Sequence, residues 1–193
     1  METIALKYKQ LSIDDNFYDF CVQNDQYKVE RDSDGTIIYI IPNSGGITGM
    51  LNAIITYWLM HWHLATNMGH VFDSSTAFRL PNTSVRSPDA SWISNEKWEH
   101  LTDSEQTKFS PICPDFVIEL LSANDDLKII QKQVQDEWIG NGCKFAWPTD
   151  PFTETVFVYR SNADVEIFNG FNQQLSGENV LPGFEFDLSK LKI

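Results

Sequence analysis

The chain has 193 residues, 42% of them hydrophobic and 21% charged, and Lys plus Arg 14 against Asp plus Glu 27 leave a net charge of −13. That length predicts one compact domain with a sizeable core. The acidic balance excludes a constitutively basic nucleic-acid surface, leaving a local basic patch or a carboxylate cluster neutralised by a cation.

No stretch has the apolar length of a membrane span, and the opening METIALKYKQ lacks a secretory leader's apolar segment. Cys21, Cys113 and Cys143 show no metal-type spacing, so reduced thiols and a cytoplasmic location are expected. Ser12-Ile13-Asp14-Asp15 has the form of a capping box and predicts a short helix through Phe17, Phe20 and Val22. YKVERDSDGTIIYIIP predicts two strands joined by a turn at Asp34-Gly35. The glycine-rich SGGITG leads into a helix over residues 50–65, apolar on most sides and therefore expected to be central.

Residues 69–93 predict two or three short strands, and SNEKWEHLTDSEQTKFSP a polar helical excursion. PDFVIELLS is a buried strand, and DDLKIIQKQVQDEWIGNG is a helix that Gly142 stops. KFAWPTDP, TETVFVYR and DVEIFNG complete a mixed α/β domain spanning residues 1–193.

One residue breaks the apolar run of PDFVIELLS. A carboxylate at Glu119, amid Phe116, Val117, Ile118, Leu120 and Leu121, must be paired, protonated or bound to a cation. Asp115 shares its strand and face, but four residues at ~3.3 Å each place it ~13 Å away, too far to share one ion. Asp115 is thus expected to serve a turn or strand start. Asp89, in SPDASWI, reaches the same ion if its strand pairs with that of Glu119, since neighbouring strands lie ~4.8 Å apart. The alternative is that Asp89 caps a turn and Glu119 meets a buried Arg or Lys.

Several segments in order, YKVERDSDGTIIYIIP, GHVFDSSTAFRLPNTSVRSPDASWIS, KFSPICPDFVIELLSANDDL, NGCKFAWPTDP and LSGENVLPGFEFDLS, resemble the Uma-two-type family of restriction endonucleases. That family, once known only as a domain of unknown function, belongs to the PD-(D/E)XK nuclease superfamily. The resemblance covers nearly everything from Phe17 to Leu188. It implies a restriction-endonuclease-like mixed sheet flanked by helices, with an N-terminal helix and β-hairpin, and metal-dependent phosphodiester cleavage. The family's acidic positions fall on Asp89 and Glu119, which would hold Mg²⁺ or Mn²⁺ with the Leu120 carbonyl. Glu30 in the first hairpin would be a further ligand or water-orienting group.

The lysine of the E-x-K motif is replaced by Leu121. The family carries it instead on the following helix, where this chain reads Gln131-Lys132-Gln133-Val134 ahead of Trp138. One register puts Gln133 at the lysine position and the other puts Val134 there. Lys132 lies roughly 155° from the apolar stripe on a straight helix, so it turns inward only through a local bulge. Lys132 and Gln133 therefore stand as alternatives for the water-positioning group, beside a site with neither.

Other signals carry less. SGGITG is not followed by Gly-Lys-Ser/Thr, so it predicts a turn rather than a phosphate loop. His61 and His63 diverge on a helix, while Tyr57, Trp58, Met60 and Trp62 read as core or dimer contact. Cys113 reads as a packed thiol, and Arg86 and Ser87 as a solvent-facing strand end or a phosphate contact. The expected activity is a Mg²⁺-dependent endonuclease acting on DNA as a homodimer, without membrane contact. The alternative is a catalytically impaired nuclease-fold module that binds nucleic acid or a protein partner.

Overall fold

The computed structural model describes residues 3–7, 14–40, 44–123 and 125–193. Among these, eleven strands form two larger sheets and two more form a small ribbon. The first sheet has the order β1-β3-β2-β6-β5, from Thr3–Lys7 (β1), Lys28–Arg31 (β2), Thr36–Ile40 (β3), Phe78–Arg79 (β5) and Val85–Arg86 (β6). The hairpin β2–β3 turns at Gly35, whose φ of 82° is a conformation that favours glycine. Helix α1, Asp14–Gln23, packs Phe17 against this sheet beside Val29, Ile37 and Val85. Val22 points to solvent, and the Ser12 and Ile13 half of the expected capping box lies outside the described residues.

The second sheet has the order β11-β10-β9-β8-β7-β4. Its strands are His70–Asp73 (β4), Ala90–Ile93 (β7), Phe116–Leu120 (β8), Phe145–Asp150 (β9), Thr155–Arg160 (β10) and Ala163–Asn169 (β11). The span 69–93 thus holds four short strands, β4 to β7, divided between the two sheets. β8 and β9 run parallel while the other neighbours are antiparallel, so the sheet is mixed.

Both faces of β8 are covered, as its apolar run predicts. Phe116, Ile118 and Leu120 join helix α2, Gly46–Thr66, and the C-terminal segment around Phe171, Phe184 and Leu188. Val117 faces the opposite core of Phe78, Ile93, Val134 and Trp138. Helix α2 is not central: Leu51, Ile55, Leu59 and Trp62 are buried, whereas Ile47, Met50, Tyr57 and Leu64 are exposed. Without charged residues to mark a solvent face, its sequence conceals that one-sidedness.

The polar excursion forms α3, Asn95–Glu99, and α4, Asp103–Thr107, the latter opened by a complete capping box at Thr102 and Glu105. Helix α5, Leu127–Gln133, is capped by Asp126, passes into a π-helical turn at Val134–Trp138, and ends at Gly142 with φ of 100°. The ribbon pairs Gln174–Ser176 (β12) with Glu185–Asp187 (β13).

Candidate active site

The last antiparallel pair between β7 and β8 is Ala90 with Ile118. One step beyond that pair stand Asp89, immediately before β7, and Glu119, the next residue of β8, near enough for the Asp89 charge to act on Glu119. The order of the sheet, β7 beside β8, brings together two acids that are 30 positions apart in sequence.

Neutral donors hold both carboxylates. Asp89 accepts the Leu120 N–H at Oδ2 (2.7 Å) and the Asn52 amide of α2 at Oδ1 (3.1 Å). Glu119 accepts the Trp138 indole N–H at Oε1 (2.7 Å). Among the described residues neither acid forms an ion pair, which disposes of the buried Arg or Lys considered for Glu119. Burial and then the adjacent Asp89 charge hold the Glu119 carboxyl well above the usual carboxylate range. Burial also raises Asp89, despite the Leu120 N–H bond.

The Leu120 backbone turns the same way. Leu121 N–H bonds Thr149 on the β9 side, so the peptide groups of its neighbour Leu120 turn to the side where its N–H meets Asp89. Its carbonyl therefore lies on the side of the two acids.

Glu30 approaches from β2. Its Oε1 accepts the Ser87 N–H at 2.9 Å, and its Oε2 lies 3.7 Å from the Arg86 guanidinium. Burial raises Glu30 as well, against the lowering effect of Arg86. Arg86 is 4% exposed and bonds Asp32, Glu137 at 3.0 Å and the Arg31 carbonyl, so it is neither solvent-facing nor free to grip a phosphate. Instead it ties the hairpin sheet to the π-helical turn.

Gln133 lines the cleft in front of these acids. Lys132 has a side chain 79% exposed and bonds Asp136 at 2.7 Å. The bulge that could have rotated Lys132 does exist, but it begins after it, at Val134, and so leaves the lysine's direction to the regular α5 turn. Asp115 stands apart. It is fully buried, takes the Ser94 N–H at 3.0 Å, and pairs with Lys97 at 3.1 Å and Lys144 at 2.9 Å.

Three contributors escaped the sequence reading. Lys28 lies on the cleft side of β2 beside Glu30, a relation that their i, i+2 spacing in a strand would have revealed. Asn52 is a lone amide in an apolar helix. Trp138 marks the helix register, and nothing in the sequence distinguishes a packed indole from one bonding a carboxylate.

The cleft has a volume of about 620 Å³ and is lined by Glu30, Asp32, Asp89, Glu119, Asp125, Asp126, Asp136 and Glu137 against Lys28, Arg86 and Lys132. With acids in such excess, a phosphate needs a cation to enter. Mg²⁺ is bound by oxygen ligands, commonly one or two carboxylates with the remainder from water and substrate. Asp89, Glu119 and the Leu120 carbonyl fit that donor chemistry. No group of three or more His, Cys, Asp or Glu side chains forms a ready metal cage among the described residues. Nor is any described helix long and apolar enough to cross a membrane.

Residues 14–189 match the family Uma2, described as "Putative restriction endonuclease". The fold is similar to the crystal structure of "a putative nuclease belonging to DUF820 from Anabaena variabilis ATCC 29413", with a TM-score of 0.69, 20% identity, and coverage of 84% of this chain and 88% of that one. No curated protein matches. The family match extends over all but the two ends of the chain, and on that basis the protein belongs to the Uma2 family.

Proposed function

We propose that the protein is a Mg²⁺- or Mn²⁺-dependent endonuclease that hydrolyses DNA phosphodiester bonds, with Asp89, Glu119 and the Leu120 carbonyl as metal ligands. The observation that carries this reading is the pair of buried carboxylates, Asp89 just before β7 and Glu119 on β8, that no ion pair offsets among the described residues. A divalent cation there would supply charge neutralisation at the scissile phosphate and a more acidic water. The chain's own residues have separate tasks. Asn52 and the Leu120 N–H orient Asp89, Trp138 orients Glu119, and Glu30 orients water from the hairpin side. Gln133, at the cleft wall, is a further group for positioning water. Lys132 is left out of this assignment because its exposed ammonium is engaged by Asp136.

Restriction-type cutting of both strands of a duplex usually uses two such sites, so we also infer a homodimer, which sedimentation equilibrium would test. A second reading, a non-catalytic nuclease-fold module, draws support from the acidic cleft and the outward Lys132.

The deciding experiment titrates Mg²⁺ and Mn²⁺ calorimetrically into wild type and Glu119→Gln, then assays plasmid nicking with the same preparations. The nuclease reading expects binding and nicking in wild type and neither in the variant. Binding without nicking would favour the module, and no binding in wild type would refute the two-carboxylate site.

A further inference from the structure

The cleft wants a cation that is part of the protein. Attack on a phosphodiester builds negative charge on phosphate oxygens, and a fixed positive group aimed there stabilises the transition state. Helix α5 does not provide one. Its Lys132 is committed to Asp136 in solvent, and Arg86 is committed to Asp32 and Glu137.

The remaining lysine lining the cleft, Lys28, comes from the opposite wall. Strand β2 buries Val29 in the core under the first sheet, which turns Lys28 and Glu30 together to the other face. Both side chains reach the same residue: the Ser87 N–H donates to Glu30, and the Ser87 carbonyl accepts from Lys28 Nζ at 3.5 Å. Lys28 Nζ also donates to the Ser74 carbonyl at 3.2 Å. Ser87 lies two residues before Asp89, so this clip fixes the ammonium beside the strand that carries a metal ligand. An ammonium has three donors, and two are directed to these carbonyls, which leaves one for the cleft. The Lys28 charge also acts on Glu30, Asp89 and Glu119 alike, lowering each against the burial that raises it.

We propose that Lys28 supplies, from the β2 hairpin, the positive charge that would otherwise come from the helix, holding the attacking water and a phosphate oxygen next to Asp89 and Glu119. This rests on the nuclease reading above. Lys28 stays protonated throughout. A water oxygen bonds phosphorus as the bond from phosphorus to the leaving sugar oxygen breaks. The proton that water loses passes to solvent, and the departing oxygen takes one up from solvent.

The test uses the full chain as wild type, Lys28→Met, Lys28→Arg and Lys132→Met, with Mn²⁺ alone for calorimetry and supercoiled plasmid for cleavage. Lys28→Met should lower kcat by roughly 10²-fold with KM little changed, and Lys28→Arg should recover part of it. Removing a positive charge from beside a cation site should also tighten Mn²⁺ binding roughly three- to tenfold. A lysine that merely supports the fold would weaken both, so the opposed signs are the signature. Lys132→Met should cleave as wild type does.

Cleavage lost in Lys132→Met but kept in Lys28→Met would overturn the proposal. So would Mn²⁺ affinity that is unchanged or weaker in a Lys28→Met protein with an intact melting transition. Wild type that binds Mn²⁺ yet nicks nothing would overturn the nuclease reading, and with it the cleavage role of Lys28. The Mn²⁺ affinities would still decide whether the Lys28 charge acts on the ligands. Wild type that binds no Mn²⁺ would overturn both.

Discussion

Glu119→Gln should make the metal-free protein more stable while removing its response to metal. Asp89, immediately before β7, lies close enough to Glu119 on β8 for its charge to act on it, and no ion pair offsets either among the described residues. Two unit charges ~5 Å apart interact by roughly 3 kcal/mol at an effective dielectric constant of ~20. The glutamine keeps an acceptor for the Trp138 indole but loses the charge-assisted part of that bond, about 1 kcal/mol. The balance favours the variant by about 2 kcal/mol, or roughly 4–8 °C in melting temperature for a chain of this size.

The pH dependence has a definite sign. A carboxyl whose folded-state pKa is raised binds more protons folded than unfolded, so stability falls as pH rises from the usual carboxylate range through the folded value. The advantage of the variant should therefore grow across that interval and then level off. The assay is calorimetric melting of both proteins from pH 4.5 to 8, in EDTA and in excess Mn²⁺. Mn²⁺ should raise the wild-type transition and leave the variant where it was. A variant less stable than wild type in EDTA at neutral pH would refute the picture of two mutually repelling buried carboxylates.

Two further perturbations separate the site from its frame. Trp138→Phe removes the N–H that holds Glu119 and leaves space in a fully buried position, so it should cost about 2–4 kcal/mol in urea unfolding and also weaken Mn²⁺ binding. Unchanged Mn²⁺ affinity would mean that the indole does not orient the ligand. Asp115→Asn breaks a buried carboxylate's contacts with Ser94, Lys97 and Lys144, and should cost roughly 2–3 kcal/mol, discounted because both lysines are partly exposed. Burial raises the Asp115 carboxyl, but the Lys144, Ser94 and Lys97 contacts outweigh it and hold the group below its ordinary value. Its contribution is therefore present above that value and lost as pH falls through the folded one. Mn²⁺ binding should be unaffected, and a loss comparable to that of Glu119→Gln would place Asp115 in the metal site after all.

The sequence by itself determined the parts of this protein that depend on local pattern. The apolar run of β8 with its one carboxylate, the hairpin at Gly35 and the glycine stop at Gly142 follow from period, turn chemistry and charge burial, whereas the choice of Asp89 as partner of Glu119 rests on the family resemblance. Exclusion of Asp115 needed only the rise per residue of a strand. What tertiary structure decided is where side chains from distant segments meet. Lys28 and Glu30 reach Ser87 because β6, which Ser87 follows, pairs beside β2 in the hairpin sheet, and Arg86 is sealed by acids from the hairpin and from the π-helical turn. The direction of Lys132 depended on where the helix changes pitch, and the indole bond of Trp138 on how α5 docks against β8. Such contacts are set by the packing of whole elements, and burial and solvent exclusion then decide which charges are free to act.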